Sequence, residues 1–220
     1  MSMMAAAADA LARSVTASAI VVGLDNAGKS TMLASLPALR GACDRAASEH
    51  GVDDLEIAPT CGVQLCRFTM ARASRSRFER RTNVKWRVWD FSGRGPHRTL
   101  WPMCGEVARA VVWVVDALDT ARVGVLRDEF RELMSHFADR KGKLAVLVLL
   151  NKADGGRPED GDAAAAESAG EDAGVLTQDH VKVLLGVDAL AKRHQVRILN
   201  IDALSGQGVE AAWKYLSGEL

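Results

Sequence analysis

Residues 17–30 read ASAIVVGLDNAGKS, an apolar run that ends in glycine and is followed by a second glycine, a lysine and a serine. The run Ala17–Gly23 predicts a buried strand, and a helix is predicted to follow from Lys29 to Leu39. The segment between them fits G-x-x-x-x-G-K-[ST], in which main-chain N–H groups and a helix N-terminus point at phosphate oxygens. The sequence therefore predicts a strand–loop–helix unit that binds phosphate, with a chance glycine turn as the alternative.

The side chains of this loop suit a nucleotide and a magnesium ion. Lys29 adds a positive charge at the β- and γ-phosphates, and the Ser30 hydroxyl can ligate Mg²⁺. The glycines let the backbone wrap tightly around the phosphates because they carry no Cβ atom. The residues predicted to bind nucleotide in this loop are Asp25, Asn26, Ala27, Gly28, Lys29, Ser30 and Thr31.

The rest of the chain alternates apolar runs with amphipathic stretches. The further predicted strands are Val63–Met70, Val84–Phe91, Ala108–Val115, Leu144–Leu150 and Val196–Ile201. Apolar residues at helical spacing predict one helix around Leu126–Phe137 and a closing helix around Val209–Leu216. This alternation predicts an α/β fold with a mostly parallel six-stranded sheet flanked by helices, in which residues 63–70 and 84–91 form an antiparallel hairpin.

The composition is that of one globular domain and does not favour a nucleic-acid partner. The chain has 220 residues and a formal net charge of +0, so no overall field attracts nucleic acid. Its four cysteines include no C-x-x-C pair, which indicates reduced thiols rather than a disulfide scaffold. No apolar stretch approaches the length of about 20 residues that a membrane span needs. We therefore expect a cytoplasmic protein and a monomer.

A second motif follows the most hydrophobic predicted strand and indicates which base is bound. Asn151, Lys152 and Asp154 form the pattern N-K-x-D. A carboxylate there accepts two hydrogen bonds from guanine, which adenine cannot offer, and a buried carboxylate left unpaired is costly. The main-chain N–H of Ala203, after the last strand, is predicted to meet the guanine oxygen. The alternative is a strand-ending turn that caps a helix.

Three further residues are predicted to sense the metal ion and the γ-phosphate. Asp90 ends a strand beside the phosphate loop and is predicted to hold the Mg²⁺ shell through water. The N–H of Gly93 is predicted to meet the γ-phosphate, and a Thr60 hydroxyl on Mg²⁺ would tie a loop to the triphosphate. The predicted metal site is thus Ser30, Thr60 and Asp90, and the predicted catalytic positions are Gly93 and Arg94.

In this order, the stretches GLDNAGKS, PT-x-G, WD-x-x-G, NKAD and DALSG resemble the motifs of small GTPases of the ADP-ribosylation factor (Arf) and Arf-like family. The wording GLDNAGKST is typical of that family, and so is a W-D-x-x-G…L-W pattern that ends here at Trp101. Within the family, FSGRGPHRTLW and NIDALSGQG most resemble the Arf-like group linked to Bardet–Biedl syndrome. The resemblance covers roughly residues 17–217, with insertions at 41–57, 71–82 and 155–174.

The resemblance implies a P-loop small G domain that alternates between GTP and GDP with the help of Mg²⁺. It implies that γ-phosphate orders the loops around Thr60 and Gly93, and that the hairpin between them slides in register. That slide expels the N-terminal helix towards a membrane and exposes a surface for effector proteins. We accordingly divide the chain into an N-terminal helix, 1–14, and a GTPase domain, 15–220, with a flexible acidic low-complexity insertion at 155–174.

The resemblance also implies partners and a place in the cell. Effectors are expected to bind the GTP state. An exchange factor and a GTPase activator are also expected, but the sequence does not identify them. The implied role is membrane or ciliary trafficking by a peripheral membrane protein, including the base of a cilium or flagellum. Membrane contact is expected through the N-terminal helix and through the arginine-rich tip of the hairpin, which carries Arg72, Arg75, Arg77, Arg80 and Arg81. A solvated loop tip and a surface-packed helix are the alternatives.

Two positions depart from the family pattern. Ser2 stands where an N-myristoylated glycine is frequent, which leaves the helix alone or acetylation as the route to a membrane. Arg94 stands where the family carries a glutamine that accepts a hydrogen bond from the attacking water. Arginine has only donors, and Asp25 occupies a place where a smaller residue would leave room. We therefore predict slow intrinsic hydrolysis, against the rival that Arg94 acts as an arginine finger in cis.

Other functions remain as alternatives. The chain is compatible with a scaffold that binds GTP without hydrolysing it. The β-subunit of the signal-recognition-particle receptor is an Arf-like relative, but it would require a transmembrane helix. An ATP-dependent P-loop kinase is disfavoured by Asp154.

Overall fold

A six-stranded sheet forms the centre of the computed structural model, which describes residues 14–39, 60–72, 82–105, 107–153 and 174–219. The strands run in the spatial order β2-β3-β1-β4-β5-β6. Strands β2 and β3 pair antiparallel, and every other neighbouring pair is parallel. Their bounds are β1 Ser14–Val22, β2 Val63–Ala71, β3 Asn83–Phe91, β4 Ala110–Asp116, β5 Ala145–Asn151 and β6 Gln195–Ile201. The predicted α/β fold with one antiparallel hairpin is confirmed, with strand ends that move by up to three residues.

Helices and short 3₁₀ segments connect these strands. The α-helices are α1 Lys29–Ser35, α2 Val123–Ser135, α3 Gln178–Leu184, α4 Val187–Leu190 and α5 Val209–Gly218. The 3₁₀ helices are Pro37–Leu39, Gly95–Cys104 and Thr120–Arg122. The helical spacing found in the sequence therefore identified α2 and α5, whereas the 3₁₀ helix after Gly93 was not predicted.

The first helix is shorter than predicted. It ends at Ser35, and its C-cap, Leu36, is extended with ψ 123°. Pro37 follows, and a proline sterically disfavours the helical conformation of the residue before it. The prediction that one helix runs from Lys29 to Leu39 was wrong because it ignored this proline.

The start of the domain also lies earlier than predicted. Ser14 was assigned to an N-terminal helix, but it is the first residue of β1 and pairs with Asn83 of β3. The predicted helix over residues 1–13 lies outside the described residues. So do the insertion at 41–57 and all of 155–174 except Gly174.

Both faces of the sheet are covered, and each has an aromatic cluster. On one face the ring of Trp213, from α5, meets Phe68 and Trp86 edge to face, with centroids 5.0 and 5.2 Å apart. On the other face Trp113 of β4 packs edge to face against Trp101 and Phe130. Strands β4 and β5 are buried along nearly their whole length, as expected for parallel strands covered on both sides.

The parallel strands β1, β3, β4, β5 and β6 all end at one edge of the sheet. In the register of these strands, Val21 pairs with Asp90 and Asp116 pairs with Asn151. In open α/β sheets ligands bind outside the carboxyl ends of the strands. The fold therefore places the predicted phosphate, metal and base loops side by side.

A main-chain hydrogen bond marks where the chain returns after the segment that follows β5. The structure describes β5 up to Ala153 and the chain again from Gly174. Two residues later, the N–H of Leu176 donates to the carbonyl oxygen of Ala117 at 2.8 Å, just after β4. Both described ends of the segment therefore lie at the carboxyl edge of the sheet.

Candidate nucleotide-binding site

The phosphate loop between β1 and α1 can adopt its path only because Gly28 lacks a side chain. Gly28 has φ 91°, and a Cβ atom added there would lie 2.3 Å from Nδ2 of Asn151. It is also the N-cap of α1, so the first N–H groups of the helix follow it directly. The loop thus opens a helix as the sequence predicted, and it packs against the residue that begins the N-K-x-D motif.

Lys29 lies beneath this loop as a buried cation. Its Nζ donates to the carbonyl oxygen of Leu24 at 2.7 Å, and only 7% of the residue is exposed. Burial lowers the pKa of Lys29 to about 8, although the charges of Asp90 and Asp25 oppose this shift. A buried ammonium with a carbonyl as its hydrogen-bond partner is an arrangement that an anion would stabilise.

Three oxygen-bearing side chains meet beside Lys29. The Ser30 hydroxyl donates to Asp90 Oδ2 at 2.5 Å and lies 2.8 Å from Thr60 Oγ1. Burial raises the pKa of Asp90, against the hydrogen bonds from Ser30 and Thr60 and the charge of Lys29. The second oxygen of Asp90, Oδ1, is buried and has no partner in the described part of the chain.

This oxygen cluster fits a hard cation. Hydroxyl and carboxylate oxygens are the ligands that Mg²⁺ prefers, usually with several waters retained. The unsatisfied oxygen of Asp90 is suited to accept a hydrogen bond from such a water. Ser30, Thr60 and Asp90, the three predicted metal residues, are therefore brought together. Among the described residues, no group of three or more His, Cys, Asp or Glu side chains offers another metal site.

Asn151 joins the phosphate loop to the loop after β6. Its Nδ2 donates to the carbonyl oxygen of Ala27 at 2.9 Å, and its Oδ1 accepts from the N–H of Ala203 at 3.0 Å. The predicted contact between the Ala203 N–H and guanine would therefore have to compete with Asn151. The sequence predicted that this loop lies at the site, but it did not indicate that the Ala203 N–H already donates a hydrogen bond to the Asn151 side chain.

Lys152 joins the phosphate loop to the end of β4. It has φ 63°, and its Nζ donates to Asp116 Oδ2 at 2.6 Å and to the carbonyl oxygen of Asn26 at 3.1 Å. Asp116, at the end of β4, was not recognised in the sequence. Asp154, the predicted guanine contact, lies outside the described residues.

Gly93 touches the phosphate loop directly. A Cβ atom at this position would lie 2.4 Å from the nitrogen of Asp25 and 2.5 Å from the carbonyl oxygen of Gly23. The next residue, Arg94, is exposed, and no hydrogen bond or ion pair of its side chain falls within the described residues. Thr31 lies in the first turn of α1 and is partly exposed. The structure therefore places Gly93 at the loop and leaves the Arg94 side chain exposed.

Asp25 is held by two arginines that sequence reasoning missed. Arg122 Nη1 donates to Asp25 Oδ1 at 2.8 Å, and Arg98 Nη2 lies 3.4 Å from the same oxygen. Burial raises the pKa of Asp25, but its backbone hydrogen bond and the two arginines outweigh burial and lower it. These partners lie 97 and 73 positions from Asp25, so no local pattern could have indicated them.

Two negative expectations can be compared with the described residues. No helix in this part of the chain is long and apolar enough to cross a membrane. Cys61 is exposed and Cys66 is buried, and reduced cysteines stay a prediction.

Comparison with known proteins agrees with this geometry. The model of the ADP-ribosylation factor family matches residues 4–220. "ADP-ribosylation factor-like protein alp41" from Schizosaccharomyces pombe is 26% identical over 201 residues, which are 91% of this chain and 84% of that protein. "ADP-ribosylation factor-like protein 6" from Caenorhabditis elegans is 26% identical over 203 residues, or 91% and 85% of the two chains.

A solved structure has the same fold. The Arl6 BBS3 small GTPase from Trypanosoma brucei, determined with the nucleotide analogue GppNp, matches with a TM-score of 0.65. The match covers 93% of this chain and 97% of that one at 23% sequence identity. At this identity the similarity is evidence about the fold.

Proposed function

Because the chain belongs to the ADP-ribosylation factor family, we propose that it is an Arf-like guanine-nucleotide switch that hydrolyses GTP slowly on its own. Arf-family GTPases bind GTP and GDP, typically with Mg²⁺. In this chain the phosphates would be held by the loop Gly23–Ser30 and the metal ion by Ser30, Thr60 and Asp90. The bound metal ion would neutralise phosphate charge.

The observation that carries this proposal is the meeting of Lys29, Ser30, Thr60 and Asp90 in one place. Ser30 comes from α1, Thr60 from the chain before β2 and Asp90 from the end of β3, and their oxygens lie 2.5–3.5 Å apart. Asn151 and Lys152 join the same loop from the other side. This arrangement supports the proposal of a phosphate site and a base site at one sheet edge, as a nucleotide requires.

Nucleotide binding is tested by titrating the full chain with fluorescent GDP, with GTP and with ATP as competitors. We expect GTP to displace the probe and ATP not to, and EDTA to speed release of the probe. Lys29→Ala should abolish binding, whereas Lys214→Ala, at an exposed i,i+4 pair with Glu210 on α5, should not. Equal displacement by ATP would overturn the guanine assignment.

Slow hydrolysis is inferred from Arg94. A water-positioning side chain must accept a hydrogen bond from the water, and a guanidinium cannot accept one. The Arg94 side chain is exposed next to Gly93, so among the described residues its replacement should disturb little. Asp25, in the phosphate loop, carries a charge that Arg98 and Arg122 already engage.

A single-turnover assay with radiolabelled GTP tests this inference. Arg94→Gln should hydrolyse GTP faster than the native chain, and Arg94→Ala should remain as slow. If Arg94→Gln is no faster, the account is wrong. If Arg94→Ala and Arg94→Gln both lose activity, Arg94 is an arginine finger instead.

The second candidate function is a GTP-binding scaffold that does not hydrolyse GTP at all. It is favoured by the same observation, the absence of an acceptor at position 94. Hydrolysis measured with and without cell extract separates the two functions. Turnover that appears only with extract supports a switch that depends on an activating protein, and no turnover in either case supports the scaffold.

The proposal also includes effector binding and a role in membrane trafficking. We infer that GTP-loaded protein recruits effectors, in a ciliary or other trafficking role, and that residues 1–13 and the arginine-rich hairpin tip contact the membrane. This role rests on the resemblance of FSGRGPHRTLW and NIDALSGQG to the Arf-like group linked to Bardet–Biedl syndrome. A pulldown that compares protein loaded with a GTP analogue and with GDP tests it, and an identical set of bound proteins would refute it. Membrane contact through arginines predicts liposome binding that weakens in high salt.

A further inference from the structure

The 3₁₀ helix Gly95–Cys104 supplies two side chains that hold the peptide groups on both sides of Gly93. Trp101 Nε1 donates to the carbonyl oxygen of Ser92 at 3.0 Å, and Arg98 Nε donates to the carbonyl oxygen of Gly93 at 2.7 Å. The N–H of Arg94 lies 3.4 Å from Ser92 Oγ. Among the described residues no group accepts a hydrogen bond from the N–H of Gly93 itself. The two peptides around Gly93 are therefore held in place, while the N–H of Gly93 has no acceptor among the described residues.

Arg98 connects this peptide to two other parts of the site. Its Nη1 donates to Glu129 Oε1 of α2 at 2.8 Å, and its Nη2 lies 3.4 Å from Asp25 Oδ1 in the phosphate loop. Only 13% of the Arg98 side chain is exposed. One guanidinium therefore joins the Gly93 loop, the phosphate loop and α2, and its planar fork makes these bonds in a fixed geometry.

We propose that Arg98 is a positioning residue that sets the preference of the protein for GTP over GDP. Trp101 holds the Ser92–Gly93 peptide, which carries the Gly93 N–H, and Arg98 holds the following Gly93–Arg94 peptide. With both peptides held, Gly93 cannot turn, and its N–H keeps its direction. The proposal rests on the proposed function. An N–H group that already points at the γ-phosphate before binding stabilises it more, since rotating a free peptide into place offsets part of the gain. Loss of the Arg98 bond frees the Gly93–Arg94 peptide, so that Gly93 is held on one side only, by Trp101. GDP has no γ-phosphate, so its binding does not depend on the orientation.

Neither neighbouring arginine can replace Arg98 in this role. The Arg94 side chain is exposed and makes no hydrogen bond or ion pair in the described part of the chain. Arg122 binds Asp25 through Oδ1 and the carbonyl oxygen, at 2.8 and 3.1 Å, but it does not bond to the Gly93 loop. Arg122→Ala is therefore a matched control, because it removes an arginine from Asp25 and leaves the peptide next to Gly93 in place.

The test is the ratio of two affinities, measured on the full chain with fluorescent GDP and a fluorescent non-hydrolysable GTP analogue. The GTP:GDP affinity ratio of Arg98→Ala should fall about tenfold, within the usual range of coupling between sites. In Arg98→Lys the ratio should fall nearly as far, because one ammonium group cannot bond to Gly93, Glu129 and Asp25 in the geometry of the guanidinium. Arg122→Ala should weaken both nucleotides to a similar degree, and Arg127→Ala, at an exposed pair on α2, should change neither.

The ratio distinguishes a positioning role from a structural one. Any loss of folded protein lowers both affinities equally and cancels, so an unchanged ratio in Arg98→Ala would overturn the proposal. A native ratio in Arg98→Lys would also overturn it, because charge alone would then suffice. If the native chain binds neither nucleotide, the proposed function fails and this proposal fails with it.

Discussion

Replacing Gly93 by alanine should separate recognition of GTP from recognition of GDP. The added Cβ atom would lie 2.4 Å from the nitrogen of Asp25 and from the carbonyl carbon of Leu24. Unstrained contacts between such atoms are about 3.5 Å or longer, so the two loops must move apart by about 1 Å. All nearby atoms belong to the backbone of the phosphate loop, so the Gly93 loop is the part that has to move.

The expected magnitude follows from the contact that is lost. A hydrogen bond to a charged group contributes about 1.5–3 kcal/mol, which corresponds to a loss of about 10- to 150-fold in GTP affinity. GDP affinity should stay unchanged because GDP lacks the γ-phosphate. Chemistry at the γ-phosphate should also slow, since a misplacement of about 1 Å can reduce a rate by about 100-fold.

Fluorescence titration with GDP and with a non-hydrolysable GTP analogue measures this effect. Gly95→Ala is the matched control, because a Cβ atom at Gly95 would meet no atom within 4 Å. Gly93→Ala with native affinity for both nucleotides would refute the close approach of the two loops. An equal loss of both affinities would refute the assignment of Gly93 to the γ-phosphate.

Two further predictions concern stability. Asn151→Ala removes the partner of a buried carbonyl and of a buried N–H. Each unpaired group should lower the free energy of unfolding by about 1–3 kcal/mol, as measured by chemical denaturation. The control is Asn200→Ala, at an exposed position, and an equal loss in both variants would contradict the role of Asn151 as a link. Burial, together with the charges of Arg193 and Arg140, lowers the pKa of His194, so the unfolded chain takes up a proton more readily than the folded chain. The unfolding free energy should therefore fall as the pH drops below about 6.5, by at most about 1.4 kcal/mol per pH unit. His194→Asn should keep an acceptor for the N–H of Leu144, which bonds to Nδ1 of His194 in the native chain, and it should make the unfolding free energy less dependent on pH. An identical slope in both proteins would exclude His194 as the cause of the pH dependence.

The parts of the site that could be predicted are those that the chain encodes locally. The pattern Gly23–Ser30 indicated a strand, a loop and a helix, and all three were found. Asp90 and Asn151 each follow an apolar strand, and parallel strands end at the same edge. Their meeting with the phosphate loop thus follows from the order of strands rather than from any single residue.

The parts that could not be predicted depend on contacts between distant positions. Arg98 and Arg122 look like ordinary polar residues until the fold brings them to Asp25. The helix that carries Arg98 is of the 3₁₀ type and contains Pro96 and Pro102, so it lacks the 3.6-residue period that identified α2. The hydrogen bond from Ala203 to Asn151 was missed for a similar reason, since a main-chain donor leaves no trace in the sequence.

The hydrogen bond from Leu176 to Ala117 has a consequence for how this chain tolerates change in length. It fixes the return of the chain to the sheet, and Lys152 is fixed at the departure by Asp116. For a flexible loop between two fixed points, the entropy of closure grows only with the logarithm of its length, by about 0.6 kcal/mol for each doubling. A flexible insertion engineered between these points should therefore cost the fold little, so this edge of the sheet can carry appended sequence of widely different size.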